Sequence, residues 1–191
     1  MTDDATINGS AVIESLRRDC DLPAAVPDEV IQTAIHEAGH AVTAWALGMP
    51  VRTLFILLDG TGGQCMSGDT GHSYFDPARL RSEMVFVAAG TEAQSLLGAS
   101  SGQCFSEQDE HRLVRCAQEL HGLFNPRGML EQICDSRQQA RAIVINQWSR
   151  IMRAARVALV SYRDFKTLFS ETDSATSDNQ SHPSSDVAAI A

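Results

Sequence analysis

The sequence predicts a mainly helical α+β fold with one small β-hairpin. Apolar residues recur at helical spacing along most of the 191-residue chain, whereas one run, at residues 51–58, is β-branched and apolar. Cap residues and prolines precede several helical segments and mark where they begin. The length suits a single compact domain with a hydrophobic core.

The first third of the chain predicts two helices and the hairpin. Residues 1–27 are expected to be a flexible segment containing one short helix, which Ser10 would cap. A longer helix follows from about Asp28 to Leu47, because apolar residues repeat along it and a glycine and a proline end it. Residues 51–58 then predict a strand, and a glycine-rich turn leads to a return strand at residues 64–66.

The rest of the chain predicts three more helices. They run from Pro77 to Leu97, from Glu107 to His121 and from Ser136 to Phe169, with loops at 67–75 and 98–105 and a chain break at 125–128. Asp76 caps the first, and Ser106-Glu107-Gln108-Asp109 is a capping box for the second. The polar composition of residues 170–191 predicts an acidic, disordered tail.

The charge of the chain lies mostly at its ends. The formal net charge is −9, yet residues 31–169 carry 13 acidic and 13 basic residues. A near-neutral central part does not favour a nucleic-acid groove, and no apolar run reaches the roughly 18 residues of a membrane span. The five cysteines lack a C-x-x-C pair and no signal peptide is recognisable, so we expect a cytoplasmic protein.

The helix at residues 28–47 contains the pattern H-E-x-x-H, formed by His36, Glu37 and His40. At 3.6 residues per turn the two histidines share one helix face, so both can bind one metal ion, with Zn²⁺ the expected metal. Glu37 lies beside them, where a carboxylate can activate a water molecule. Gly39 inside the helix indicates a close backbone approach. The alternative interpretation is an amphipathic helix with two solvated histidines.

A catalytic zinc ion takes three protein ligands and keeps a fourth position open, so a third ligand is expected. No histidine follows closely after His40. The candidates are the acids Glu83, Glu92, Glu107, Asp109 and Glu110 and the histidines His72, His111 and His121. Helical periodicity does not choose among them.

Four segments of the chain resemble one known family in sequence and order. Ile35-His36-Glu37-Ala38-Gly39-His40-Ala41-Val42 is similar to the metal helix A-x-H-E-A-G-H-A, and residues Thr53 to Met66 are similar to an apolar edge strand that ends in a glycine and a return. Residues Met84 to Gln94 are similar to an l-l-G-G-r-A-A-E-E helix, and Ser101 to Glu110 to a T-G-A-s-n-D-l segment. These are motifs of the FtsH-type ATP-dependent zinc proteases, and the resemblance covers about residues 28–169. The chain departs from the family at Leu58-Asp59-Gly60, Gln94-Ser95 and Leu113-Val114.

The resemblance implies a zincin-like, FtsH-type peptidase domain over residues 28–169 that binds Zn²⁺. His36 and His40 would be ligands and Glu37 the catalytic base. Asp109 would be the third ligand, because the aspartate of the family's T-G-A-s-n-D-l segment has that role. Glu110 is the nearest rival.

These roles predict a zinc-dependent metalloendopeptidase that hydrolyses peptide bonds in unfolded or flexible protein segments. Zn²⁺ would polarise the scissile carbonyl and lower the pKa of a bound water to about 7, so that Glu37 can deprotonate it and protonate the leaving amine. Residues 53–58 are a candidate edge strand for an extended substrate, with a core strand as the alternative.

The resemblance also predicts partners. FtsH-type enzymes carry an ATPase module and membrane spans, and neither a Walker A loop nor a span is recognisable here, so we expect a stand-alone peptidase domain. The family's hexamers imply a homo-oligomer, and a separate ATPase is a further expected partner. The alternatives are a zinc-binding interaction or regulatory module, inactive alone or dependent on that ATPase, and a regulator whose peptidase is specific for one repressor or toxin.

Overall fold

The computed structural model describes residues 7–57, 59–60, 62–67, 76–98, 106–122 and 124–177, with side chains as far as Asp164. These residues form six helices and two strands: α1 (Gly9–Asp19), α2 (Asp28–Ala46), β1 (Val51–Ile56), β2 (Gly63–Ser67), α3 (Pro77–Ser95), α4 (Glu107–His121), α5 (Pro126–Asn146) and α6 (Trp148–Ser177). The mainly helical α+β prediction with one hairpin is confirmed. The predicted loops at 68–75 and 99–105, and the tail beyond 177, lie outside the described residues.

The prediction of one long helix over residues 136–169 is wrong. Two helices occupy this region, and the chain leaves helical geometry at Gln147, with φ −109° and ψ 14°. No helix-breaking residue marks the position. The change of direction lets α5 pack against α3 while α6 packs against α2. α6 also continues to Ser177, past the predicted start of the tail at residue 170.

The predicted break at residues 125–128 is instead the start of α5. The Asn125 side chain accepts a hydrogen bond from the backbone N–H of Gly128 at 3.1 Å. Pro126 occupies the first turn, where its missing N–H costs nothing. Asparagine followed by proline therefore begins a helix here.

The short N-terminal helix is present as α1, but its cap is Asn8 rather than Ser10. The Asn8 side chain accepts from Ala11 N–H at 3.1 Å, and Ser10 lies inside the helix. Ile13 and Leu16 pack into the hydrophobic core. Residues 9–26 are thus part of the folded unit rather than a separate flexible segment.

Helix α2 is the centre of the fold, packed against α3, α6 and the hairpin. Its residues from Ala34 to Ala44 are all buried. At Gly39 a Cβ atom would lie 2.8 Å from the carbonyl oxygen of Ala89 on α3, so only glycine allows this approach. The close contact expected at Gly39 is confirmed. No helix among the described residues combines the length and apolar character that crossing a membrane requires.

The hairpin lies against α2. Its strands are antiparallel, with Leu54 opposite Cys65 and Ile56 opposite Gly63. Ile56 and Cys65 are buried on the inner face, whereas most of β1 is exposed. β1 is therefore not a core strand, and in the described part of the chain it pairs only with β2.

Candidate metal centre

Helix α2 places His36 and His40 one turn apart on a buried face. The two residues are only 5% and 4% exposed. Their Nε2 atoms are 3.0 Å apart, and the rings meet nearly edge to face. The interpretation of solvated histidines on an amphipathic helix is therefore wrong.

Asp109, in the first turn of α4, brings a carboxylate to the same point. Its Oδ2 atom lies 2.9 Å from His36 Nε2 and 3.2 Å from His40 Nε2. Ser106 fixes the start of the helix by accepting a hydrogen bond from Asp109 N–H at 3.3 Å. Ligands about 2.0–2.1 Å from a tetrahedral zinc ion are about 3.3 Å apart. The three donor atoms thus have spacings near those of one metal's ligands.

The rival candidates for a third ligand lie elsewhere. Arginines hold three of the acids: Glu83 pairs with Arg112, Glu92 with Arg141 and Glu110 with Arg137. Glu107 and His111 are exposed, His121 ends α4, and His72 lies outside the described residues. Among the described residues, one group of three or more histidine, cysteine, aspartate or glutamate side chains could hold a metal ion, and it consists of His36, His40 and Asp109.

The other ring nitrogen of each histidine meets an acceptor on α3. His40 Nδ1 lies 2.7 Å from the backbone carbonyl oxygen of Phe86. His36 Nδ1 lies 3.0 Å from Oε1 of Gln94, whose amide nitrogen donates to the carbonyl of Gln32 at 3.4 Å. A carbonyl oxygen only accepts, so both Nδ1 atoms carry the proton and donate it. In the neutral rings the Nε2 lone pairs therefore point at each other and at Asp109.

This arrangement requires a cation. Two lone pairs and a carboxylate oxygen within 2.9–3.2 Å of one another repel unless a proton or a metal ion lies among them. Burial alone would raise the pKa of Asp109, yet the hydrogen bonds that His36 and His40 donate to it when their Nε2 atoms are protonated hold that pKa well below the usual range. The aspartate is thus available as an anionic ligand.

Gly90 on α3 leaves the space for that cation. A Cβ atom at this position would lie 2.5 Å from His40 Nε2 and 2.6 Å from His36 Nε2. Any larger residue would press on the nitrogen atoms that carry the lone pairs. The donor set and the space kept by glycine both fit a metal ion.

Glu37 lies beside the three donors and is 7% exposed. Its carboxyl accepts a hydrogen bond from the backbone N–H of Cys65 on β2. Burial raises its pKa from 4.5 to about 7; His36 and the Cys65 hydrogen bond lower it, and the charge of Asp109 raises it. At Gly63 a Cβ would lie 2.7 Å from Glu37 Cγ, so glycine lets β2 approach this closely.

The structure brings His36, Glu37, His40 and Asp109 together, as the sequence and the family resemblance predicted, but sequence reasoning missed what α3 contributes. Gly90 was detectable as a glycine inside a helix, which costs about 1 kcal/mol relative to alanine. Gln94 was noted only as a departure from a family motif, and Phe86 acts through its backbone, which leaves no sequence signal. No protein-family model matches the chain, and no curated protein matches it significantly. The chemistry of the site therefore carries the functional argument.

Proposed function

We propose that the chain is a zinc-dependent metalloendopeptidase that hydrolyses peptide bonds in unfolded or flexible protein segments. In this proposal residues 28–169 are a zincin-like peptidase domain of the FtsH type. One observation carries it: three donors that require a proton or a metal ion among them, His36, His40 and Asp109, lie beside a buried carboxyl group, Glu37, that a backbone N–H orients.

Two imidazole nitrogens and one carboxylate oxygen are a donor set that zinc favours, and three protein ligands leave a fourth position for water or substrate. His36, His40 and Asp109 would hold the ion. When bound, zinc supplies a Lewis acid for the scissile carbonyl and lowers the pKa of a water molecule. Gln94 and Phe86 keep both histidines in the tautomer that such binding needs.

Glu37 is the proposed general base and acid. Its carboxylate takes a proton from the attacking water and transfers it to the nitrogen of the leaving amine. A pKa raised toward 7 suits both transfers at neutral pH. The Cys65 N–H holds the carboxyl in place during these transfers.

The hairpin supports an extended polypeptide as the substrate. Leu57 N–H donates to the carbonyl of Gly62 at 2.8 Å. Along antiparallel strands, opposite residues alternate between hydrogen-bonded and non-hydrogen-bonded pairs. Leu54 and Cys65 lie three pairs further along, so they form a non-hydrogen-bonded pair, and the Cys65 N–H points away from β1 and toward Glu37. Among the described residues no strand pairs with the outer edge of β2, where the Cys65 N–H already binds Glu37. The position of this edge next to the proposed base favours strand addition there rather than at residues 53–58.

A cleavage assay with casein and a chelator tests this function. Casein is flexible, so its cleavage requires no unfolding activity. We expect slow cleavage that stops when the chelator removes zinc and returns when zinc is restored. Stoichiometric zinc without cleavage of casein or of a library of short flexible peptides would contradict the proposal. That result would favour a zinc-binding regulatory module or a peptidase specific for one repressor or toxin. A homo-oligomer and a separate ATPase stay predictions from the resemblance.

A further inference from the structure

Two arginines on one face of α5 connect the helices that complete the metal centre. Arg137 Nη2 donates to Glu110 Oε1 on α4 at 2.6 Å. Arg141, one turn further along α5, lies 3.5 Å from Glu92 Oε2 on α3. It also donates to Ser95 Oγ at 3.4 Å. The same face of α5 therefore contacts both α3 and α4 through charged side chains.

The acids in these pairs are neighbours of the site residues. Glu110 directly follows Asp109 in the first turn of α4. Glu92 lies on α3 between Gly90 and Gln94. A displacement of either helix would change the distance between the Asp109 carboxylate and the two imidazoles.

These ion pairs contribute more to the positions of α3 and α4 relative to α5 than to the stability of the whole fold. Arg137 and Glu110 are 31% and 32% exposed, and an ion pair this exposed contributes little to the free energy of folding. Buried apolar contacts of α4, including Leu113, Cys116 and Ala117, already stabilise its middle. Its first turn carries Asp109, and metal ligands tolerate displacements of only about 0.5 Å.

We propose that Arg137 is a positioning residue for the metal centre. By binding Glu110 it holds the first turn of α4 so that Asp109 stays within reach of His36 and His40. Arg141 fixes the same face of α5 to α3. This inference rests on the metal site of the proposed function and not on peptide hydrolysis, so a protein that binds metal without cleaving peptides would leave it intact.

A charge swap tests the role of the ion pair. Arg137→Glu, Glu110→Arg and the double variant are compared with the wild type by Co²⁺ titration against a competing chelator, with the visible absorption of tetrahedral cobalt as a second signal. Each single variant should lose about tenfold in affinity, and the double variant should recover to within about threefold. The control is Arg127→Glu, because Arg127 pairs with Glu131 on the exposed side of α5; its affinity should not change.

Single variants that bind cobalt as tightly as the wild type would overturn the inference. A folded double variant as weak as the single ones would also overturn it, since restoring the pair should restore the position. If circular dichroism shows that the double variant is unfolded, the cobalt affinities of Arg137→Lys and Arg137→Met test the role of Arg137 instead. Lysine should retain most of the affinity and methionine should not, and equal affinities would refute the role. A wild type that binds no cobalt would contradict the metal site itself.

Discussion

His40 donates its Nδ1–H to the backbone carbonyl of Phe86 at 2.7 Å, which joins the metal-motif helix to α3. The Phe86 ring also packs against the imidazole, with centroids 5.0 Å apart. The acceptor is a backbone oxygen, so the tautomer of His40 depends on the path of α3 and not on a polar side chain at position 86. Orientation of the candidate ligands is thus a property of how α3 packs on α2.

Gly90→Ala should remove metal binding while leaving the fold in place. The added methyl group would lie 2.5–2.6 Å from the Nε2 atoms of both histidines, so a bound ion would lose its space. We expect zinc affinity to fall by about 100-fold or more, measured by chelator competition.

Gly128→Ala is the matched control for Gly90→Ala. Its methyl group would meet the side chains of Asn125 and His121 instead of the imidazoles of His36 and His40. It should lower the free energy of unfolding by about 1–3 kcal/mol with or without metal and leave zinc affinity unchanged. Normal zinc affinity in Gly90→Ala would show that the ion does not occupy the space beside that glycine.

Gln94→Leu should weaken zinc binding, and Gln94→Glu should not. Leucine removes the acceptor of the His36 Nδ1–H and leaves that buried proton unpaired, which frees the ring to adopt the wrong tautomer. A loss of about 10- to 100-fold in affinity is expected. Glutamate keeps the acceptor and serves as the control. Equal zinc affinity of the leucine variant and the wild type would show that this hydrogen bond does not orient the ligand.

Local features of the site could be predicted from the sequence, and contacts between distant segments could not. His36 and His40 follow from helical periodicity, because one turn separates them. Asp109 lies on another helix, so spacing left it among eight candidates and only the family resemblance chose it. Its position near the histidines depends on how α4 packs on α3, which no short-range pattern encodes.

The same limit explains the errors in the fold. The caps at Asp76 and Ser106 were predicted because each is a local hydrogen bond of side chain to backbone. The break at Gln147 has no local cause, since it depends on α5 and α6 having different packing partners. Sequence patterns therefore predicted the elements better than their junctions.

Asp109→Ala should lower the zinc content of the purified protein clearly below one ion per chain. The change removes one of three donors and the negative charge that the two imidazoles face. Glu107→Gln is the control, because Glu107 belongs to the same helical turn but is exposed. Metal analysis would measure the zinc content of both purified variants. Full zinc content in Asp109→Ala would mean that another acid completes the site.

Glu37→Gln should separate metal binding from catalysis. Glutamine keeps the shape of the side chain but cannot accept a proton from water, so casein cleavage should fall by about 10²- to 10⁴-fold. Zinc content should stay unchanged, since Glu37 is not one of the three donors. Cleavage at the wild-type rate by this variant would rule out Glu37 as the base.

The raised pKa of Glu37 predicts how the stability of the metal-free protein depends on pH. In the folded protein the carboxyl keeps its proton up to about pH 7, whereas in the unfolded chain it loses the proton near pH 4.5. The folded state therefore binds more protons in this range, and the free energy of unfolding should fall as the pH rises through it. The contribution of Glu37 is at most about 3 kcal/mol and should become constant about one unit above pH 7, where the folded protein has also lost this proton.

The Glu37→Gln variant isolates this contribution, because its side chain does not titrate and the other groups of the site are retained. Urea unfolding with a chelator present, at several values between about pH 5 and about pH 9, would compare the two proteins. The wild type should lose stability relative to the variant as the pH rises, and the difference should level off above about pH 8. A constant difference across the range would mean that burial does not hold the proton on Glu37, and that the carboxylate is already ionised in the metal-free fold.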